Sequence, residues 1–236
     1  MGKNKLKKFA WNKTSTKVIE PEVNTVMQGD HPLKGNWKSE FGNDRPIVLE
    51  LACGKGEYTV GMATLFPEKN FIGIDIKGAR IFSGAKHAEE HQLENVRFLR
   101  TRIDFINGFF SADEVSELWI TFPDPQLQKP RKRLTSVLFL ERYAEFLKPG
   151  ATINLKTDSD ELYEFTRDEA IPQFNQHNEQ FQWVKEMDFA DLYSSGAKHL
   201  SAMMRQVLHI RTHYEAMWLE EGKRIKFLRY SKEVRA

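Results

Sequence analysis

From Pro46 onward the chain alternates short apolar runs with longer segments in which apolar positions recur every three or four residues. IVLELA (47–52), FIGIDI (71–76), VRFLRT (96–101), ELWITF (117–122) and ATINLKT (151–157) are too short for stable helices and rich in branched and aromatic side chains, so they predict strands. Between them, EYTVGMATLF, GARIFSGAKHAEEHQ and LTSVLFLERYAEFLK carry helical periodicity. Regular alternation of the two predicts an α/β fold with a mostly parallel central sheet and helices on both faces. FQWVKEM (181–187) and RIKFLRYS (224–231) are two further strand candidates. Residues 21–45, rich in Pro, Gly, Asn and Asp, predict an irregular lead-in, and no internal repeat is evident. The expected organisation is an N-terminal arm and lead-in over 1–45 and one domain over 46–236.

Charge adds a partner to this picture. The net charge of the 236 residues is only +2, but Lys3, Lys5, Lys7, Lys8, Lys13 and Lys17 all precede the first acidic residue, Glu20, which predicts a flexible basic arm. Lys129, Arg131, Lys132 and Arg133 form a second cluster, and residues between Lys223 and Arg235 a third. One such run is ordinarily a solvated face; three point to a polyanionic partner. The single cysteine, Cys53, excludes an internal disulfide framework and fits a reducing compartment and a packing role. With no apolar run near the roughly 18 residues that span a bilayer, and no apolar segment behind the basic N-terminus, the expected location is the cytoplasm, with no membrane partner.

Candidate chemistry starts where the first strand ends. In LELACGKGEY the chain must turn sharply at Gly54 and Gly56 before a helix, and glycine lets a ligand approach the backbone there. A dinucleotide fingerprint needs a third glycine at 59, where Thr59 stands, so a nicotinamide-dependent oxidoreductase is disfavoured. Glu50 lies in an otherwise apolar strand four residues before Gly54, and a carboxylate there is costly without a partner or ligand. Together with Asp75, which closes the second strand, this arrangement resembles the S-adenosylmethionine site of Rossmann-like class I methyltransferases. In that reading Asp75 accepts from the ribose hydroxyls and Glu50 helps make the pocket acidic around the cationic methionyl end. The simpler alternative satisfies Glu50 with local backbone groups and makes Asp75 a helix cap.

The strand ELWITF runs directly into Pro123-Asp124-Pro125. Ligands of open α/β sheets collect beyond the carboxyl ends of strands, so Asp124 is expected to border the same crevice as Glu50 and Asp75. The flanking prolines restrict its backbone, which is the preorganisation a transfer site needs. ITFPDPQLQKPRKRL, followed by KTDSDE (156–161) and THYE (212–215) behind the glycine turn, is similar to bacterial tRNA (guanine-N(7)-)-methyltransferases over roughly residues 47–230. The resemblance implies a class I methyltransferase that moves a methyl group from S-adenosylmethionine to a guanine of the tRNA variable loop. It implies Glu50, Gly54, Gly56, Asp75 and Asp124 as cofactor-binding residues, with Asp124 also catalytic. Asp104 is the acidic candidate near the end of the third strand, since Arg102 stands at the position where the family tends to carry an acid. Substrate contacts are implied for Asp158, Thr212, Tyr214 and Glu215. Many members carry Trp after the second proline and Lys three residues after it; here Gln126 and Gln128 stand there, with Lys129 one place later, so Gln128, Lys129 and Arg131 are the substrate-side candidates.

Guanine N(7) carries an in-plane lone pair and no proton, so its methylation needs alignment, at a near-attack distance of about 3 to 3.5 Å, and no general base. A fixed carboxylate can stabilise the ring as it becomes cationic. Because N(7) and O(6) are both acceptors, Asp124 or Asp158 would accept instead from the donors on the Watson–Crick edge. The neighbouring cations would hold phosphates, and the Lys-rich arm with Trp11 and Trp37 is a candidate aid to opening the folded tRNA. THYE is also a capping box, and Asp158 or Ser159 is equally an N-cap candidate. His87 and His91 match H-x-x-E-H without an evident third ligand, so no metal is expected. Monomer and homodimer both fit. Two other readings stay open on the residues alone: a class I methyltransferase with a different RNA, protein or small-molecule substrate, and a non-catalytic RNA-binding protein of this fold.

Overall fold

The computed structural model describes residues 3–22, 25, 29–194 and 199–235. It divides into two units, Met1–Ser111 and Ala112–Ala236.

In the first unit, helix α1 (Lys3–Thr14) leads into the short strand β1 (Val18–Ile19), and a five-residue helix, α2 (Trp37–Phe41), precedes the main sheet. Then come β2 (Ile47–Leu51), α3 (Glu57–Leu65), β3 (Asn70–Ile74), α4 (Gly78–Glu90) and β4 (Val96–Leu99). All neighbouring strands run parallel in the order β1-β4-β3-β2, with Leu49 opposite Ile72 and Ile72 opposite Arg97. Every residue of β2 and β3 is buried. That is why these strands read as continuous apolar runs: a parallel sheet covered on both faces has no solvent face to mark with polar residues.

The second unit holds β5 (Val115–Thr121), α5 (Val137–Phe146), β6 (Leu147–Thr157), α6 (Asp160–Glu164), α7 (Ile171–His177), β7 (Phe181–Phe189), α8 (Ala202–Leu208), α9 (His213–Glu220) and β8 (Lys226–Val234). The order is β5-β6-β8-β7; β5 and β6 are parallel, and β8 is antiparallel to both β6 and β7. The predicted strands are all present. β6 begins four residues earlier than expected, inside the segment read as helix, with Leu147 paired to Val115 across a bulge. The fold is α/β with a mostly parallel sheet, as its strand and helix alternation implied.

The basic arm differs from the expectation. Lys3–Thr14 is helical and docked on α4: Asn12 Nδ2 donates to the Gly78 carbonyl at 2.9 Å, and Trp11 meets the Phe82 ring edge-on at 5.1 Å. Its cations are partly engaged as well. Lys8 Nζ lies 5.2 Å from the Phe82 ring centroid, and the buried Lys17 donates to the Leu93 carbonyl and pairs with Glu94 at 3.0 Å. Spacing of lysines reports charge, whereas the docking is carried by Phe9, Trp11 and Asn12 between them.

Candidate active site

In the first unit the chain leaves β2 through three left-handed residues, Ala52 (φ 54°), Gly54 (φ 58°) and Gly56 (φ 73°), before α3 begins. A left-handed alanine costs about 1–2 kcal/mol, so the surroundings must enforce this turn. Two carboxylates do so. Asp75, one residue past β3, accepts the Gly54 N–H at 2.9 Å through Oδ2 and the Lys77 N–H at 2.8 Å through Oδ1. Glu50, fully buried in β2, accepts the Thr59 N–H at 2.8 Å and the Thr59 hydroxyl. Thr59, the residue that breaks the dinucleotide fingerprint, is therefore the partner that makes a buried Glu50 tolerable; a hydroxyl in place of the third glycine was the sequence signal for it.

The Cys53 thiol is pushed well above its ordinary value by burial, then by the Glu50 and Asp75 carboxylates. The two glycines differ. A Cβ on Gly54 would meet only the Ala52 carbonyl at 3.9 Å, so its backbone is open to a ligand; on Gly56 it would fall 2.5 Å from the Phe98 ring. Gly56 is a packing glycine, and Gly56→Ala is expected to cost about 3 kcal/mol of stability through clash and a strained φ, read as a lowered urea midpoint. Asp104, by contrast, lies in the turn after β4, paired with Arg102 at 3.0 Å and 45% exposed.

In the second unit, β5 ends in a turn bounded by two left-handed residues, Phe122 (φ 47°) and Gln126 (φ 46°). A bulky residue at positive φ is an outlier of the kind that collects at functional sites. Between them Asp124 is exposed at its tip, and its Oδ1 accepts the Gln126 N–H at 3.0 Å, so the carboxylate is held while keeping acceptor capacity. Gln128, Lys129, Arg131 and Lys132 are exposed on the following segment. Arg133 does not share that surface. It is buried, its Nε donates to the Pro125 carbonyl at 3.0 Å, and its guanidinium lies 4.4 Å from the Phe165 ring centroid. The four-cation cluster is thus three surface cations plus one clamp on the Asp124 turn.

Asp158 follows β6, with Lys223 Nζ 3.5 Å from its carboxylate and Lys226 Nζ donating to its carbonyl at 2.8 Å. The N-cap of α6 is Ser159, which accepts the Leu162 N–H at 3.1 Å. THYE caps α9 by half of the expected box: Thr212 Oγ1 accepts the Glu215 N–H at 3.2 Å. The Glu215 carboxylate turns inward, fully buried, to the Lys156 ammonium at 2.8 Å and the Tyr193 hydroxyl. Tyr214 is 41% exposed. Lys156, read as the end of a strand and the first residue of KTDSDE, pairs with this carboxylate in a way that nothing near it in the sequence announced. Burial pushes its pKa down to about 8 against the opposing pull of Glu215, and the same carboxylate, after burial, pushes the Tyr193 hydroxyl up.

Trp37 is not available to RNA: it is fully buried, donates Nε1 to the Phe109 carbonyl at 2.8 Å and stacks on Phe110. His87, in the last turn of α4, and His91, just past its end, stack with ring centroids 3.9 Å apart, and among the described residues no group of three or more potential ligands could hold a metal. No helix among them is long and apolar enough to cross a membrane.

A family model described as "Putative methyltransferase" matches residues 44–228. The tRNA (guanine-N(7)-)-methyltransferase of Bacteroides thetaiotaomicron is 46% identical over 98% of this chain and 86% of its own length. The chain belongs to the tRNA (guanine-N(7)-)-methyltransferase family. Relatives of that name in Porphyromonas gingivalis (49% identical, 86% of this chain and 79% of that one) and Christiangramia forsetii (42%, 97% of each) agree. Solved structures place the methyltransferase in its fold class. The 16S rRNA methyltransferase KamB superposes with a TM-score of 0.62 at 15% identity over 84% of this chain and 93% of that one, and an antibiotic-related methyltransferase with 0.57 at 17% over 92% and 96%. The enzyme has the class I methyltransferase fold and takes S-adenosylmethionine as cofactor. The acidic turn with an approachable Gly54 backbone fits that cofactor, which carries both ribose hydroxyls for an acceptor and a positive sulfonium.

Proposed function

We propose that the enzyme transfers the methyl group of S-adenosylmethionine to N(7) of a guanine in the tRNA variable loop, in the cytoplasm, and that residues 46–236 carry the chemistry. The observation that carries the reading is Asp124: a carboxylate at a strand's carboxyl end, held by the Gln126 N–H, clamped from behind by Arg133 on Pro125, and still exposed.

The cofactor supplies an electrophilic methyl on a cationic sulfur. In the first unit, Asp75 holds the Gly54 backbone and keeps lone pairs for the ribose hydroxyls, while Glu50 and Thr59 fix the start of α3 and the acidic field around it. In the second, Asp124 accepts from the base's N–H donors and opposes the positive charge that grows on the imidazole ring as N(7) is alkylated. Adenine presents a different donor pattern on that edge, so the same carboxylate discriminates between the purines. Asp158, the exposed Tyr214 at the start of α9 and Gln128 on the segment after the Asp124 turn are the further base-side contacts of this reading. Thr212 and the buried Glu215 serve by shaping that helix start.

Lys129, Arg131 and Lys132 hold phosphates. Their simultaneous replacement by Ala is expected to weaken tRNA binding and to flatten the slope of log K against log salt by about 2 to 3. Titrations at four salt concentrations check this; an unchanged slope would make the cluster a solvated face. Arg133→Ala is expected instead to lower stability and turnover with little change in that slope.

The function is tested with two tRNAs differing in one atom: natural guanine, or 7-deazaguanine, at the variable-loop position. Methyl transfer to the first and none to the second is expected. Equal transfer to both would exclude N(7) as the acceptor.

A further inference from the structure

Lys156, the penultimate residue of β6, connects three segments that lie far apart in the chain. Its carbonyl accepts the Phe122 N–H at 2.8 Å, and its ammonium sits 5.8 Å from the centroid of the Phe122 ring, immediately before Pro123-Asp124-Pro125. The same ammonium donates to the Leu208 carbonyl at 2.6 Å, ending α8, and pairs with Glu215 in the first turn of α9. Ile210 offers a further carbonyl at 3.4 Å. Asp158 follows two residues on.

Both charges of the Lys156–Glu215 pair are completely buried. Such a pair is a poor device for stability alone, because apolar side chains of similar volume hold elements together as well or better without the cost of desolvation. A three-donor ammonium adds direction. It can satisfy the carbonyl that ends one helix and the carboxylate that begins the next only in one register, and packing against Phe122 ties that register to the strained turn carrying Asp124.

We propose that Lys156 is a positioning residue that sets the Asp124 turn and the Thr212–Glu215 helix start in the relative register that an RNA base requires. Lys156 touches neither base nor cofactor in this role; it acts through Phe122 and Glu215. The proposal rests on the tRNA reading above.

The test is the double variant Lys156→Met/Glu215→Leu, which removes both charges and leaves neither unpaired, compared with Lys156→Arg and the wild-type enzyme on the same tRNA. Expected for the double variant is a melting temperature within a few degrees of wild type, unchanged affinity for S-adenosylhomocysteine, a tenfold or greater rise in KM for tRNA and a tenfold or greater fall in kcat. Lys156→Arg keeps the charge without the compact three-donor geometry and is expected to recover only part of the lost kcat/KM. Wild-type kcat and KM in the double variant would overturn the proposal. Should that variant not fold, Tyr193→Phe gives the second reading, since it loosens Glu215 while keeping the ion pair: KM for tRNA should rise severalfold at unchanged melting temperature, and an unchanged KM overturns the proposal. Wild-type enzyme that fails to methylate tRNA overturns the functional reading and this one together, whereas active wild type with unaltered variants overturns this one alone.

Discussion

Asp124→Ala is expected to lower kcat for tRNA methylation about 100- to 1000-fold while leaving the dissociation constant for tRNA within about threefold of wild type. The magnitude is that of removing one preorganised charged group from a transition state in which charge moves onto the base. Retention of binding follows from the division of labour proposed for this segment, in which the exposed Lys129, Arg131 and Lys132 would hold phosphates and the carboxylate would make one base contact. Asp124→Asn refines the result. The amide oxygen can still accept the Gln126 N–H that shapes the turn, so geometry is kept and the charge alone is lost. If electrostatic stabilisation is the role, Asn should recover little of the activity lost in Ala; if the carboxylate only shapes the turn, Asn should recover most of it. Single-turnover kinetics at saturating cofactor, with filter binding for tRNA, separate these outcomes.

Asp75→Ala should produce the other large effect, on the cofactor side. Both oxygens of Asp75 already accept backbone N–H groups, from Gly54 and Lys77, and in the proposed cofactor site the same carboxylate would also serve the ribose hydroxyls. Its removal takes away a ligand contact and the lock on the turn together. The dissociation constant for S-adenosylhomocysteine is expected to rise about 100-fold, or roughly 2.7 kcal/mol, the scale of a lost charge-assisted hydrogen bond plus partial loss of preorganisation. Affinity for tRNA should be unchanged, because the cationic segment belongs to the second unit. Calorimetric titration of both ligands checks the pair of statements. Unchanged S-adenosylhomocysteine affinity would remove Asp75 from the cofactor site.

What the sequence made legible follows the physics of each feature. The strands of the first unit were readable because parallel strands buried on both faces need unbroken apolar runs, and Glu50 and Asp75 stood out because a carboxylate in or after such a run is anomalous. Asp124 was marked by its two prolines. Other features depend on partners remote in the chain. Lys156 looked like the polar end of a strand, since nothing near it in sequence announces a Glu215 that lies 59 residues away. Arg133 looked like one more member of a cationic run, because charge density does not say which side chain turns inward to Phe165. The left-handed backbone at Phe122 and Ala52 carried no residue signature at all, since neither is glycine or asparagine. The basic arm was read from its lysines, while its docking depends on Trp11 and Asn12 meeting α4.

Methyl transfer to guanine N(7) of tRNA is tested by incubating the purified protein with methyl-labelled S-adenosylmethionine and unmodified tRNA, digesting the RNA and identifying the labelled nucleoside by mass spectrometry. Label is expected in 7-methylguanosine, mapping to the variable loop. Label in any other nucleoside, or none in tRNA from a protein that binds S-adenosylhomocysteine, would contradict it.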